Sequence, residues 1–231
     1  MAKKVLRNVT HCIFDMDGLL LDTERLYTEA AQKVLDPYDK TFTFDVKEQL
    51  MGLQTRQVAE FMVNTYELPI TWEEYAKQQR DNALTLMGNA QLMPGAARLL
   101  RHLHANKVPF ALATSSGADM VELKSTHHKE LFNLFNHKVC GSTDAEVKNG
   151  KPAPDIFLVA AGRFGDTPDP SKCLVFEDSP NGVTAGESAG MQVIMVPDPR
   201  LSEERCSHAT QVLRSLEDFK PEQFGLPPFS D

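Results

Sequence analysis

Two carboxylates stand two residues apart in Asp15-Met16-Asp17-Gly18. On an extended segment, side chains at that spacing point the same way. Carboxylates held so close repel, and one is driven to keep its proton unless a cation intervenes. Glu177-Asp178-Ser179-Pro180-Asn181-Gly182 supplies two more carboxylates, Thr114-Ser115-Ser116-Gly117 a hydroxyl cluster, and Gly150-Lys151-Pro152 an ammonium. Hard oxygens from Asp15, Asp17, Asp178 and Glu177 suit Mg²⁺, which completes its octahedron with waters and a substrate phosphate oxygen. The other phosphate oxygens would find donors in the Thr114 hydroxyl, the backbone N–H groups of Ser115 and Ser116 at a helix start, and Lys151. Such a set could carry phosphoryl transfer. One aspartate of the pair attacks phosphorus and forms an aspartyl-phosphate, splitting a hard hydrolysis into two easier steps. The other protonates the departing alcohol and then takes a proton from the attacking water.

Only a particular frame could bring these segments together. Short apolar runs rich in β-branched or aromatic residues recur at 10–14, 108–113, 137–140, 173–176 and 192–196. Each is too short for a buried helix and predicts a strand. Helical patterns lie between the later ones, at 96–105, 118–135, 154–164 and 181–189. That alternation predicts an α/β fold with a mostly parallel sheet covered on both faces. Ligands of an open parallel sheet gather outside the carboxyl ends of its strands, and there the Asp15, Thr114 and Glu177 segments fall.

About ninety residues separate the first two strands, far more than one crossover helix needs. That interval reads as helices at 24–35, 44–51, 55–66 and 72–87, with Val58, Phe61, Met62 and Thr65 forming one apolar stripe. The stripe reads as core packing, as do Tyr66 and Trp72. An all-α domain is therefore expected at 21–91, joined through 20–22 and 91–94, inside a core made of 1–20 and 92–231. Residues 221–231, with three prolines, read as an irregular surface tail.

The chain has 231 residues, enough for a core domain carrying a smaller insertion. Its net charge of −8 argues against a nucleic-acid backbone or an anionic membrane as partner. A small anion is compatible, provided a metal, a lysine and helix N-termini make a local site for it. Four cysteines at 12, 140, 173 and 206, with no C-x-x-C, read as reduced thiols rather than a disulfide framework. No apolar stretch follows Lys3, Lys4 and Arg7, so no secretory signal is expected. A cytoplasmic monomer acting on a small molecule is the expectation.

The strings FDMDGLLLDTE, ALATSS, GKPAPD and FEDSPNG resemble, in order and at strand ends, the four motifs of the haloacid dehalogenase-like hydrolase superfamily. The resemblance frames nearly the whole chain. It implies a Rossmann-like core with an inserted helical cap, Mg²⁺ dependence and phosphoryl transfer through an aspartate. By position, Asp15 would be nucleophile and metal ligand, and Asp17 acid/base with its backbone carbonyl on the metal. Thr114 and Lys151 would bind phosphate, Asp178 would bind Mg²⁺, and Glu177 would bind it or brace those that do. DMDGLLLDTERLY, PFALATSSG, KCLVFED and DFKPEQFGLP are similar to a eukaryotic branch of that superfamily acting on nucleoside monophosphates. That similarity implies a pyrimidine nucleoside monophosphate as substrate, pseudouridine 5′-phosphate in particular. Ala153 departs from that branch's KPDPD, yet the β-phosphoglucomutase type also carries KPAPD.

Rival readings are weaker. Gly150-Lys151 is no P-loop, because Pro152 stands where Ser or Thr must be. His102/His104 and His127/His128 lack the spacing of one helical face and have no nearby cysteine, so zinc is not expected. A phospho-aspartate signalling module would place its acidic pair before the phosphoacceptor strand, and a second aspartate at +2 would discharge the signal. A phosphomutase or sugar-phosphate phosphatase of the same fold stays open; release of inorganic phosphate separates mutase from hydrolase. Halide displacement would need neither Asp17 nor Mg²⁺.

Overall fold

The structure is a computed structural model and describes residues 5–50 and 55–230. Six strands form one parallel sheet: β1 (His11–Phe14), β2 (Phe110–Thr114), β3 (His137–Cys140), β4 (Cys173–Glu177), β5 (Gln192–Met195) and β6 (Gln211–Val212). Their order is β3-β2-β1-β4-β5-β6, the doubly wound order whose direction reverses beside β1. Phe14 stands in register with Leu112 of β2 and Phe176 of β4, so three strand ends finish at one level.

Residues of β1, β2, β4 and β5 are buried throughout, and alternation divides them between two faces. Ile13, Ala111, Ala113, Val175 and Val193 pack with Phe157, Ala160, Val183 and Ala185. These last come from the helices α8 (Asp155–Gly162) and α9 (Pro180–Ser188). Phe14, Phe110 and Phe176 take the alternate positions. The Phe14 and Phe176 rings stack at 4.5 Å, and Phe110 meets Phe14 edge-on at 6.2 Å. Such pairs add about 0.5–1.5 kcal/mol each beyond their buried area. The rings anchor the two strands that end in Asp15 and Glu177.

The tail contributes to this face, which corrects the expectation of a surface segment. Phe224 is fully buried and its carbonyl accepts from the Val9 N–H at 2.9 Å, while Phe219 meets Phe176 edge-on at 4.9 Å. Three prolines limit helix length but not burial; Pro221 opens a short 3₁₀ turn that delivers Phe224. Asp231 lies outside the described residues.

The chain divides into two compact units, Met1–Asp22 with Gln91–Asp231, and Thr23–Ala90. The second unit is helical: α1 (Thr23–Leu35), α2 (Phe44–Leu50), α3 (Thr55–Tyr66) and α4 (Trp72–Met87). Met51, the expected last residue of the second helix, lies outside the described residues. A capping box starts α4: Thr71 Oγ1 accepts from the Glu74 N–H at 3.2 Å, and Glu74 Oε2 from the Thr71 N–H at 2.8 Å. The apolar stripe of α3 is rotated from the expected one. Ala59 and Met62 are buried with Val58, Val63 and Tyr66 packed beside them, whereas Thr65 is exposed. The Tyr66 hydroxyl donates to the Thr41 carbonyl and the Arg56 guanidinium lies over the Trp72 ring, so both aromatics are engaged within this unit.

The two stretches leading to and from the helices are tied together. Gly18, at φ 76°, turns the chain so that its N–H reaches the Leu21 carbonyl. The Asp22 N–H then donates to Gln91 and the Met93 N–H to Leu20, each at 2.9 Å.

The expected helix at 118–135 is broken into α6 (Ala118–Lys124), a 3₁₀ turn and α7 (Lys129–Phe132), after α5 (Ala96–Ala105). Ser125 Oγ and Thr126 Oγ1 donate back to the Val121 and Leu123 carbonyls, both at 2.7 Å, competing with helix continuation.

Candidate active site

The backbone of β1 continues one residue past the strand, where the Asp15 N–H donates to the Phe176 carbonyl at 3.0 Å. Asp15 thus leaves the sheet beside the end of β4, at the point where the strand order reverses. Lys151 reaches it from the loop before α8. The Lys151 ammonium donates to Asp15 Oδ1 at 2.5 Å, to Glu177 Oε1 at 2.6 Å and to the Ala113 carbonyl at 3.3 Å, 5.1 Å above the Phe157 ring. Burial pushes the Asp15 carboxyl up to about 7; Lys151 opposes that rise, while Glu177 and Asp17 add to it. Burial works against the Lys151 ammonium too, but its two carboxylate partners outweigh it and hold the group above the usual lysine range.

Glu177 is gripped from the other side. Its Oε2 accepts from the Asp178 N–H at 3.1 Å, the Ser179 N–H at 3.2 Å and the Ser179 hydroxyl at 3.1 Å. Ser179 also caps α9, accepting from the Gly182 N–H at 3.1 Å. A carboxylate under a helix start is favoured by the N–H groups that point at it. The fit is so close that a Cβ at position 182 would lie 1.9 Å from the Glu177 carboxyl. Both Glu177 oxygens are therefore occupied by donors, and the side chain braces Lys151.

Asp17 faces a different set. Its Oδ1 accepts from the Lys124 ammonium at 2.6 Å; its Oδ2 accepts from Ser116 Oγ at 2.9 Å and Thr114 Oγ1 at 3.4 Å. Lys124 also donates to Ser116 Oγ at 2.8 Å, and the Ser116 N–H donates to Thr114 Oγ1 at 3.1 Å. The Lys124 side chain is wholly buried. Taking an ammonium out of water costs several kcal/mol unless a counter-charge and hydrogen bonds answer it, and Asp17 and Ser116 do so here.

One carboxylate oxygen each from Asp15, Glu177 and Asp178 lies within 4.8 Å of the others. Two of the three residues are buried, and hard oxygens at this spacing fit a small divalent cation.

Six of the residues singled out by sequence meet here: Asp15, Asp17, Thr114, Lys151, Glu177 and Asp178. Ser115 does not join them by its side chain, which is exposed, although its carbonyl accepts from Ser142 Oγ at 2.5 Å. The hydroxyls that meet Asp17 belong to the neighbours of Ser115 in sequence, Thr114 and Ser116. Sequence reasoning names Ser116 for its N–H and as part of the hydroxyl cluster, but does not single out Lys124. A signal existed: it falls three residues after Val121 on the buried face of α6, where a lysine must be paired.

The family model of the haloacid dehalogenase-like hydrolases matches residues 9–190. A probable pseudouridine-5′-phosphatase of Drosophila melanogaster is 77% identical over 231 residues, covering all of both chains. The mitochondrial (DL)-glycerol-3-phosphatase 1 of Arabidopsis thaliana is 49% identical, over 97% of this chain and 76% of its own. Among solved structures, a HAD family hydrolase from Deinococcus radiodurans with bound phosphate and sodium superposes with a TM-score of 0.79. It is 25% identical, and the match covers 96% of this chain and 99% of that one. With four motif segments meeting at one rim of a doubly wound sheet and a family model matched over 9–190, the chain belongs to the haloacid dehalogenase-like hydrolase family.

Proposed function

We propose that this hydrolase is a magnesium-dependent phosphatase whose substrate is pseudouridine 5′-phosphate, cleaved to pseudouridine and phosphate. The observation that carries the reaction is the buried meeting of Asp15 with Lys151, Glu177 and Asp178 at the strand-order reversal. The substrate follows from the 77% identity to the Drosophila relative, which spans the whole chain.

Asp15 is the nucleophile. Its oxygen bonds to phosphorus as the ester P–O bond breaks, and the leaving alkoxide takes a proton from Asp17. Asp17 then accepts a proton from a water that attacks the same phosphorus, which returns Asp15 as a carboxylate and releases phosphate. Lys151, braced by Glu177, offers its ammonium to the phosphoryl oxygens alongside the Thr114 hydroxyl and the N–H groups of Ser115 and Ser116. Asp15 and Asp178, with the Asp17 backbone carbonyl, would hold the magnesium, which when bound offsets the negative charge gathered there. Residues 21–91 act as the cap that selects the organic group of the substrate. The reading places the enzyme in the cytoplasm, in keeping with free cysteines at 12, 140, 173 and 206; no helix of the described residues is long and apolar enough to cross a membrane.

The identity to glycerol-3-phosphatases makes glycerol 3-phosphate the competing substrate. The test is phosphate release, with Mg²⁺ and with EDTA, from pseudouridine 5′-phosphate, uridine 5′-phosphate, glycerol 3-phosphate and hexose phosphates. The highest kcat/KM is expected for pseudouridine 5′-phosphate, with turnover silenced by EDTA and restored by Mg²⁺. A higher value for glycerol 3-phosphate overturns the substrate, and undiminished turnover in EDTA overturns the metal.

A further inference from the structure

The two oxygens of Asp17 are not equivalent. Oδ1 is pinned by a buried ammonium, at 2.6 Å, while Oδ2 stands between two hydroxyls, one of them on Thr114. The pin comes from the last residue of α6, whose side chain runs back toward the start of its own helix, as helical side chains do. There it meets Ser116, eight residues earlier, and the three groups close a triangle of Lys124 Nζ, Asp17 Oδ1 and Ser116 Oγ. A buried ion pair is poor value as a stabiliser, since well-packed apolar residues of similar volume often serve as well or better. What such a pair supplies is a fixed geometry.

We propose that Lys124 is a positioning residue for the reaction: together with Ser116 it locks the Asp17 carboxylate so that Oδ2 is the oxygen facing the Thr114 side of the site. This rests on the reading of Asp17 as acid and base. Lys124 touches no reacting atom; it acts through Asp17. Its removal frees the carboxylate to rotate about its last bond, so correct placement becomes one orientation among several. The loss should therefore fall on both steps that Asp17 assists, and in the first of them, transfer to Asp15, it should spare a leaving group that needs no proton.

The experiment compares Lys124→Met, Asp17→Asn and the double variant by the single-turnover rate of leaving-group release from pseudouridine 5′-phosphate and from p-nitrophenyl phosphate, whose leaving group departs as a stable anion. Lys124→Met is expected to lower that rate on the nucleotide by about 10²-fold, within the range of general acid–base catalysis, with substrate affinity little changed and the rate on the aryl ester little changed. Asp17→Asn should show the same split, and the double variant should be no worse than Asp17→Asn alone, because the lysine has lost the group it acts through. Equal losses on both substrates for Lys124→Met, with Asp17→Asn still discriminating, overturn the proposal and leave the acid/base reading standing. Equal losses for Asp17→Asn overturn that reading and the proposal with it. Should Lys124→Met fail to fold, the double variant, which buries no unanswered charge, decides: parity with Asp17→Asn supports the proposal, and a further loss on the nucleotide overturns it.

Discussion

Two lysines hold the two aspartates of one tripeptide, and they do so differently. Lys151 arrives on a loop and divides itself between Asp15 and Glu177, with Asp178 close by. Lys124 arrives on a helix and meets one carboxylate, Asp17, and a hydroxyl. On the Asp15 side carboxylates outnumber the lysine among the described residues; on the Asp17 side the Lys124 ammonium faces the Asp17 carboxylate at 2.6 Å. On the proposed reading, the excess is where a cation would bind and the pairing is where a side chain would be held still while it exchanges a proton. A site of that design separates its electrophile-binding half from its proton-transfer half within three residues of chain.

The largest expected effect breaks the comparison on the Asp15 side. Asp15→Asn should cost at least about 10³-fold in kcat, the scale of removing a nucleophile, and should do so for aryl and alkyl phosphates alike. A phosphate-release assay beside a circular dichroism spectrum tests this, and substantial retained turnover removes the covalent step. Lys151→Met leaves Asp15 and Glu177 buried without their shared partner, so urea unfolding should report a loss of about 3–5 kcal/mol, the usual cost of breaking a buried pair from one side. A loss below 1 kcal/mol would mean that solvent already reaches the pair.

Gly182→Ala sharpens the contrast without touching either lysine. The added methyl would meet Glu177 at 1.9 Å and must push it off α9, at about 1–3 kcal/mol for overpacking. Phosphate affinity should weaken with it as Lys151 loses its brace, whereas the ratio of nucleotide to aryl ester turnover should hold. The last effect concerns pH. In the metal-free protein the Asp15 carboxyl keeps its proton up to about pH 7, so a magnesium ion bound below that pH displaces a proton. Magnesium affinity should then rise by about tenfold per pH unit between 5 and 7 and level off above. Titration calorimetry checks this, and affinity independent of pH would exclude Asp15 as a ligand.

Much of this was legible before any coordinates. The apolar runs ending in Asp15, Thr114 and Glu177 are long enough to be read as strands, and their order along the chain, with helices between, leaves a parallel sheet as the economical solution. Lys151 stood out because Gly and Pro flank it. Lys124 carries a fainter flag, its place three residues after Val121 on one face of α6, and against it a lone lysine near a helix end reads as a favourable surface charge. The sixth strand, Gln211–Val212, is too short for a period of two to register. The tail misled because proline content reports local conformation, whereas the burial of Phe224 is decided by Phe219, which itself packs on the Phe176 ring of β4.

The paired linkers carry one more consequence. Because the Asp22 N–H donates directly to the Gln91 carbonyl, the helical insert leaves and re-enters the sheet-bearing unit through neighbouring backbone. Sixty-odd residues can therefore be exchanged as one cassette, with no strand re-threaded and no crossover lengthened. If that insert is the proposed cap, evolution or an engineer could change the clientele of the enzyme by splicing at a single doorway while the chemistry next to it stays untouched.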